Sequence, residues 1–264
     1  LGVNESEPAT CFPTAVTSGA AWDAALLKAE GKAIGEEGLS YGVDVVLGPG
    51  VNIKRNPLCG RNFEYFSEDP YIAGAMGAAW VQGAQESGAG TSLKHFAANS
   101  QELRRMASNS VLDERTLREL YLTAFEIVVK EASPKTIMSA YNKVNDIYAN
   151  ESKHLLVDIL RREWGFDGAV VTDWGGSNDH VEGVKNGSTL EMPSPGLGGA
   201  RKLLKAVAEG SLTEQEIDLR VDERVAVDLG GGGVEDARLR LEGEVEDVHD
   251  AQDGAFRRLD GVLL

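Results

Sequence analysis

Two spacings of apolar residues alternate along the chain. Short, nearly unbroken apolar runs occupy 43–47, 91–96, 136–141, 169–172 and 189–192, each bounded by glycine, proline or polar residues. Runs of that length read as strands buried on both faces. Between them, apolar positions recur every three or four residues, with Lys and Glu opposite, which predicts helices. The expected helices span 22–40, 70–87, 112–131, 152–164, a short one opened by Ser177, then 199–209 and 213–227. In the first, Ala25, Leu26, Ala29, Ala33 and Ile34 form the apolar side. Pro70 suits a first helical turn, and Gly88 and Gly165 suit helix ends. Thr213 and Glu216 have capping-box spacing. Residues 1–20 read as loop, and 52–69 as a polar, irregular stretch.

Strand and helix in alternation predict parallel strands with crossover helices, hence an α/β protein. No G-x-G-x-x-G follows a strand and no P-loop is present, which disfavours the open nucleotide-binding sheets. The expected fold is an incomplete (β/α)8 TIM-type barrel with about five parallel strands visible, against the eight of a closed barrel. Residues 1–228 form this partial barrel domain. The pattern stops at Leu229, and four glycines lead into a Gly-rich, acidic stretch over 229–264. That tail has no amphipathic face, reads as foreign to the barrel, and is expected to be poorly ordered. An open barrel leaves strand edges unpaired, so self-association is expected.

The 264 residues carry a net charge of -16, so a phosphate backbone is repelled and nucleic acid is excluded as a partner. No apolar run is long enough to span a bilayer. The chain opens on Leu1, without a signal peptide, and localisation is not legible. Cys11 and Cys59 are too few for a disulfide framework and read as small buried residues. His95, His154, His180 and His249 lack metal-ligand spacing, and neither metal nor cofactor is expected.

The chemistry lies where the apolar runs end. Ala169-Val170-Val171-Thr172 stops in Asp173, Trp174 and two glycines, which places a carboxylate at the C-terminal mouth of a strand. Capping of the next helix is the competing role for Asp173. The other runs lead to Arg61, to Lys94 and His95 with Arg105 soon after, to Tyr141, and to Glu191. In a barrel these ends converge on one pocket. Trp174, an aromatic beside a carboxylate, suits a stacking wall for a sugar ring. Lys94 also admits a Schiff-base role.

Four blocks together resemble glycoside hydrolase family 3, its β-glucosidases most of all. They are Arg61-Asn62-Phe63-Glu64-Tyr65-Phe66-Ser67-Glu68-Asp69-Pro70, Lys94-His95-Phe96-Ala97-Ala98-Asn99, Met138-Ser139-Ala140-Tyr141-Asn142 and Thr172-Asp173-Trp174. The resemblance covers about residues 3–228. It implies a retaining glycosidase in which Asp173 forms a covalent glycosyl-enzyme. It further implies that Arg61, Lys94, His95 and Arg105 bind sugar hydroxyls, that Tyr141 donates a hydrogen bond to Asp173, and that Trp174 packs on the ring. Lys94 and Arg105 beside the carboxylate would favour its charged form.

The implied partner is a small β-glucoside or oligosaccharide. A β-xylosidase or arabinofuranosidase of the same family, or a sugar-binding relic without turnover, are the alternatives. The family's acid/base glutamate lies in a later domain that finds no counterpart here. Nothing in the spacing of Glu64 or Glu191 makes either a substitute. The chain therefore reads as a piece truncated at both ends, with weak or no activity alone.

Overall fold

The computed structural model describes residues 8–228. The expectations for the 229–264 tail lie outside the described residues. The chain opens with α1 (Ala15–Gly19), a turn of helix within the stretch expected to be loop. Helix α2 (Ala24–Ser40) starts two residues later than expected, because Asp23 caps it by accepting from the Ala25 and Leu26 amides. Strand β1 (Val45–Val46), a 3-10 turn (Asn62–Glu64), α3 (Pro70–Glu86) and β2 (Gly90–Phe96) follow.

After β2 the chain forms β3 (Asn109–Ser110), then one continuous helical rod: α4 (Glu114–Thr116), a π-helical stretch (Leu117–Leu122) and α5 (Thr123–Ala132). Next come β4 (Thr136–Ser139), β5 (Lys143–Val144), β6 (Ile147–Tyr148), a π-helical rod (His154–Glu163) and β7 (Ala169–Thr172). The described chain closes with α6 (His180–Lys185), α7 (Leu197–Ala208) and α8 (Glu214–Asp228). Thr213 and Glu216 make the expected reciprocal cap of α8.

The main sheet runs β1-β2-β4-β7, all parallel, with helices crossing over between neighbours. It is an arc of a (β/α)8-type barrel, as the alternating pattern predicts. The fifth expected strand, 189–192, survives as one bridge between Leu190 and Val171. Pro193 and the loop after it end the pairing, since proline has no amide hydrogen to donate. The small β3-β5-β6 sheet above the arc was not legible in the periodicity, because each of its strands has two residues.

The core lies between the sheet and the helices. Leu93, Phe96, Ile137 and Val170 from the strands meet Phe125 and Val128 of α5 and Leu156, Ile159 and Leu160 of the π-helical rod. Burying each large side chain contributes roughly 1.5–3 kcal/mol. The buried face of α2 is not the one expected: Ala25, Leu26 and Ala29 are exposed, and Leu27, Gly31 and Gly35 are buried. A Cβ on Gly31 would lie 2.1 Å from the Trp80 carbonyl oxygen, and one on Gly83 only 1.9 Å from that of Lys28. Backbone-to-backbone contact between α2 and α3 selects the glycine face. An apolar pattern does not register that face.

Candidate active site

Because the four strands are parallel, their C-terminal ends open on one side of the sheet. β1 runs on through Gly50 to Asn52, β2 delivers Lys94 and His95, β4 delivers Ser139 to Asn142, and β7 delivers Asp173. The β2–β4 register slips between Leu93 and Phe96, and Lys94 and His95 sit in that irregularity. Such bulges re-aim side chains beside functional sites. Asn52 fixes the turn: its amide donates to the His95 carbonyl at 2.9 Å and its oxygen accepts the His95 amide at 2.7 Å.

Asp173 is buried and caps no helix. Asp179 takes the cap of α6 instead, accepting from Val181 and Glu182. Residues 173–176 form a tight turn, closed by the Gly176 amide donating to the Asp173 carbonyl at 2.8 Å. Gly175 has φ +75°, a left-handed conformation that glycine adopts without cost. One carboxylate oxygen, Oδ1, accepts the Trp174 amide at 2.8 Å. The other, Oδ2, is buried with no hydrogen-bond donor, 3.9 Å from an Arg61 terminal nitrogen and 3.6 Å from His95 Nε2.

Burial holds the His95 imidazole well below its usual range, and the positive charges of Arg61, Lys94 and Arg105 add to the effect. The ring is therefore neutral. The Tyr65 hydroxyl engages Nδ1 at 3.1 Å, which turns the other ring nitrogen, Nε2, towards Asp173.

Of the six expected sugar-binding residues, Arg61 and His95 lie against Asp173, and the other four stand in the surrounding cluster, not all by the expected contacts. Arg61 pairs through Nε with Glu64, and Lys94 Nζ lies 3.3 Å from the same carboxylate. Burial lowers the Lys94 ammonium, and the Glu64 charge opposes that. Lowering is the direction an amine nucleophile needs, while the Glu64 carboxylate beside it favours the cation. Arg105 does not sit at Asp173. Its guanidinium lies 4.5 Å above the Tyr141 ring and donates to Glu102 at 2.7 Å.

Tyr141 faces both the Asp173 carboxylate and the turn that follows it. Its hydroxyl goes to the Trp174 carbonyl at 2.8 Å, because the turn after Asp173 presents that oxygen to it. Burial, then the nearby Asp173 charge, push the Tyr141 phenol up to about 12. Trp174 is 38% exposed, a ring open at the mouth.

Asn52, Tyr65 and Glu102 also shape the site without a part in the sequence pattern, and Glu64, weighed there as a substitute acid, serves as a partner of Arg61 and Lys94. Asn52 sits between Val51 and Ile53, and a polar residue flanked by apolar ones was the available signal. Cys59 is buried as expected, but Cys11 is exposed. Cys11 lines, with Phe12, Ile34, Val46 and Trp80, a mostly apolar cavity of about 430 Å³ beside β1. That cavity reaches the charged cluster only at Glu64 and Lys94, and the chemistry belongs to the cluster. Among the described residues no cluster of potential metal ligands occurs, and no helix is long and apolar enough to cross a membrane.

Parallel strands delivering a buried carboxylate, ringed by paired cations and hydroxyl donors, to one end of a barrel arc define a polar small-molecule pocket of the barrel-enzyme class. The chain belongs to glycosyl hydrolase family 3: residues 2–227 match the family's N-terminal domain. It is 48% identical over 225 residues to the thermostable β-glucosidase B of Acetivibrio thermocellus, which covers 85% of this chain and 30% of that protein. It is 47% identical over 216 residues to an exo-α-(1→6)-L-arabinopyranosidase of Bifidobacterium longum, covering 82% of this chain and 28% of that one.

Among solved structures, a β-glucosidase from Bifidobacterium adolescentis superposes with a TM-score of 0.83 at 44% identity, over 87% of this chain and 34% of that one. β-Glucosidase 3B from Thermotoga neapolitana, solved in complex with glucose, superposes with a TM-score of 0.81 at 42% identity, over 86% of this chain and 33% of that one. The chain thus spans about a third or less of the relatives it matches.

Proposed function

We propose that this chain carries the nucleophile and the sugar-binding wall of a retaining glycosidase acting on β-glucosides. The observation that supports it most directly is Asp173 Oδ2: a buried carboxylate oxygen without a hydrogen-bond donor, facing the Arg61 guanidinium and a His95 ring nitrogen. A free lone pair in that setting is a nucleophile ready for an anomeric carbon. Attack forms a glycosyl ester on Asp173 and breaks the bond to the leaving oxygen, which takes a proton. Water later hydrolyses the ester.

Arg61, Lys94, His95 and Arg105 would hold the sugar hydroxyls, and Trp174 would pack on the ring. Buried donors aimed at fixed hydroxyls discriminate strongly, because a wrong sugar leaves them unpaired.

The leaving oxygen needs an acid about 5 Å from the nucleophile. Glu64 and Glu102 are held by cations, Glu64 by Arg61 and Lys94 and Glu102 by Arg105, and Glu191 lies 2.9 Å from His180 Nδ1. None is a free acid for this role. We propose that the 264-residue chain alone glycosylates itself with activated substrates and turns over ordinary glucosides slowly.

A fluorinated aryl glucoside with a dinitrophenyl leaving group tests this, since that group departs without an acid. The expected result is one glucosyl adduct on the peptide carrying Asp173, and none in Asp173→Asn. An unlabelled wild-type chain that still binds glucose would instead favour a sugar-binding relic. The arabinopyranosidase relative supports a pentoside as the second substrate, and labelling rates with the matching arabinoside would rank the two.

A further inference from the structure

Three cations line the site, Arg61, Lys94 and Arg105, and two glutamates sit between them. Glu102 serves Arg105 alone. Glu64 serves two: one oxygen accepts Arg61 Nε and the other lies 3.3 Å from Lys94 Nζ. Arg61 precedes the 3-10 turn and Glu64 is its last residue, Lys94 sits on β2, and the carboxylate joins the two elements. With Nε taken by Glu64, the outer end of the Arg61 guanidinium is left to point at Asp173, at 3.9 Å.

We infer that Glu64 is a positioning residue of the sugar site, holding Arg61 and Lys94 as one paired unit so that their remaining donors face the substrate. This rests on the proposal that the site binds sugar. It adds the assignment of the carboxylate that makes the site's cations usable.

Both glutamate oxygens are occupied and its side chain is 13% exposed, so Glu64 has no spare lone pair aimed at bulk solvent. Its partners are buried to a similar degree, at 20% for Arg61 and 16% for Lys94. In such a setting removing the carboxylate costs far more than breaking a surface pair, because it leaves buried charges uncompensated. Without it Arg61 and Lys94 repel each other, and the other carboxylates of the cavity beside Lys94 are engaged elsewhere, Glu30 by the Ser18 hydroxyl and Glu37 by the Thr10 amide. The charged and titratable groups around Lys94 are Arg61 and Glu64 from the 3-10 turn, His95 on β2 and Asp173 after β7. Burial and Arg61 disfavour its charge, while Glu64 and Asp173 favour it. Glu64 is the partner in contact, so its removal leaves Lys94 neutral at a lower pH than in the parent.

Glu64→Gln keeps the shape and removes the charge. In the 264-residue chain, the titration of Lys94 is followed by NMR of a lysine labelled at the side-chain nitrogen, without sugar. Glucose affinity is measured by calorimetry across the same pH range. The expected results are a Lys94 titration displaced to lower pH in E64Q, and glucose binding weakened by at least about tenfold at neutral pH. Glu64→Asp, which keeps the charge on a shorter stem, is expected to restore the titration while recovering affinity only in part.

A Lys94 titration and a glucose affinity both unchanged in E64Q would overturn the assignment. Should the parent chain bind no glucose, the sugar-site proposal fails on that arm, and the Lys94 titration alone decides whether Glu64 holds the cations. Should E64Q not fold, E64D decides: a parent-like affinity would overturn the positioning role.

Discussion

The Tyr141 hydroxyl hydrogen-bonds the main-chain carbonyl of Trp174, 2.8 Å away, and so ties β4 to the turn that carries Asp173. The same ring is the floor under the Arg105 guanidinium. Glu102, Arg105, Tyr141, Trp174 and Asp173 are thereby linked contact by contact. Tyr141→Phe keeps the ring and its cation stacking but removes the tie. A hydrogen bond of this kind contributes about 0.5–1.5 kcal/mol. We expect a similar loss of stability in urea denaturation and a several-fold loss of glucose affinity by calorimetry, with Arg105 still in place.

The neutral His95 has a consequence for pH. Above its usual value of 6.5 the ring is neutral in both folded and unfolded chains and contributes no pH dependence. Below that value the unfolded chain takes up a proton that the folded chain refuses, so stability falls as pH falls towards the depressed folded value. His180, also lowered mainly by burial, acts in the same direction. Urea midpoints at pH 7.5 and 5.5 should show the loss. Nitrogen-detected histidine NMR should find the His95 ring still neutral at about pH 6, below the usual histidine value. A doubly protonated ring there would contradict the assignment.

At the opposite end of β7, Glu223 of α8 accepts from Arg161 at 2.7 Å, from Arg220 at 2.8 Å and from Thr189 at 2.8 Å. Arg220 and Glu223 are 7% and 9% exposed. Glu223→Gln removes the carboxylate in contact with two buried guanidinium groups, leaving them Asp167 and Glu216 as counter-charges, and should cost about 3–5 kcal/mol in urea denaturation. Lys32→Gln, at a pair 3.9 Å long on the surface, should stay within about 0.5 kcal/mol.

The contact between α2 and α3 predicts opposite outcomes for two glycine-to-alanine changes. At Gly83 a Cβ would meet the Lys28 carbonyl oxygen at 1.9 Å, and the helices must separate, at a cost of about 1–3 kcal/mol or more. At Gly38 it would meet Val46 Cγ2 at 3.6 Å, an ordinary contact, and Gly38→Ala should stabilise α2 by about 0.5–1 kcal/mol. Thermal midpoints of the two variants check both signs.

What the chain's own pattern determined was the order of elements and the address of the chemistry. The four parallel strands of the arc and the crossover helices follow from apolar runs and helical spacing. The abrupt change from Thr172 to Asp173 follows from a buried strand reaching its mouth. Those features are local, so neighbouring residues encode them.

Only tertiary structure decided the rest. Leu27, Gly31 and Gly35, not Leu26, face α3, because close approach of two backbones outweighs a leucine's hydrophobicity. Thr189 to Met192 pairs by a single residue, since a proline follows. Tyr141 turns to Trp174 and Arg105 to Glu102, because which acceptor a donor meets depends on turns distant in sequence. Asn52 and His95, 43 residues apart, fix each other through two hydrogen bonds that no periodicity records. The sequence sets which groups are buried at the strand ends. The fold sets their partners, and with them which oxygen of Asp173 is left free.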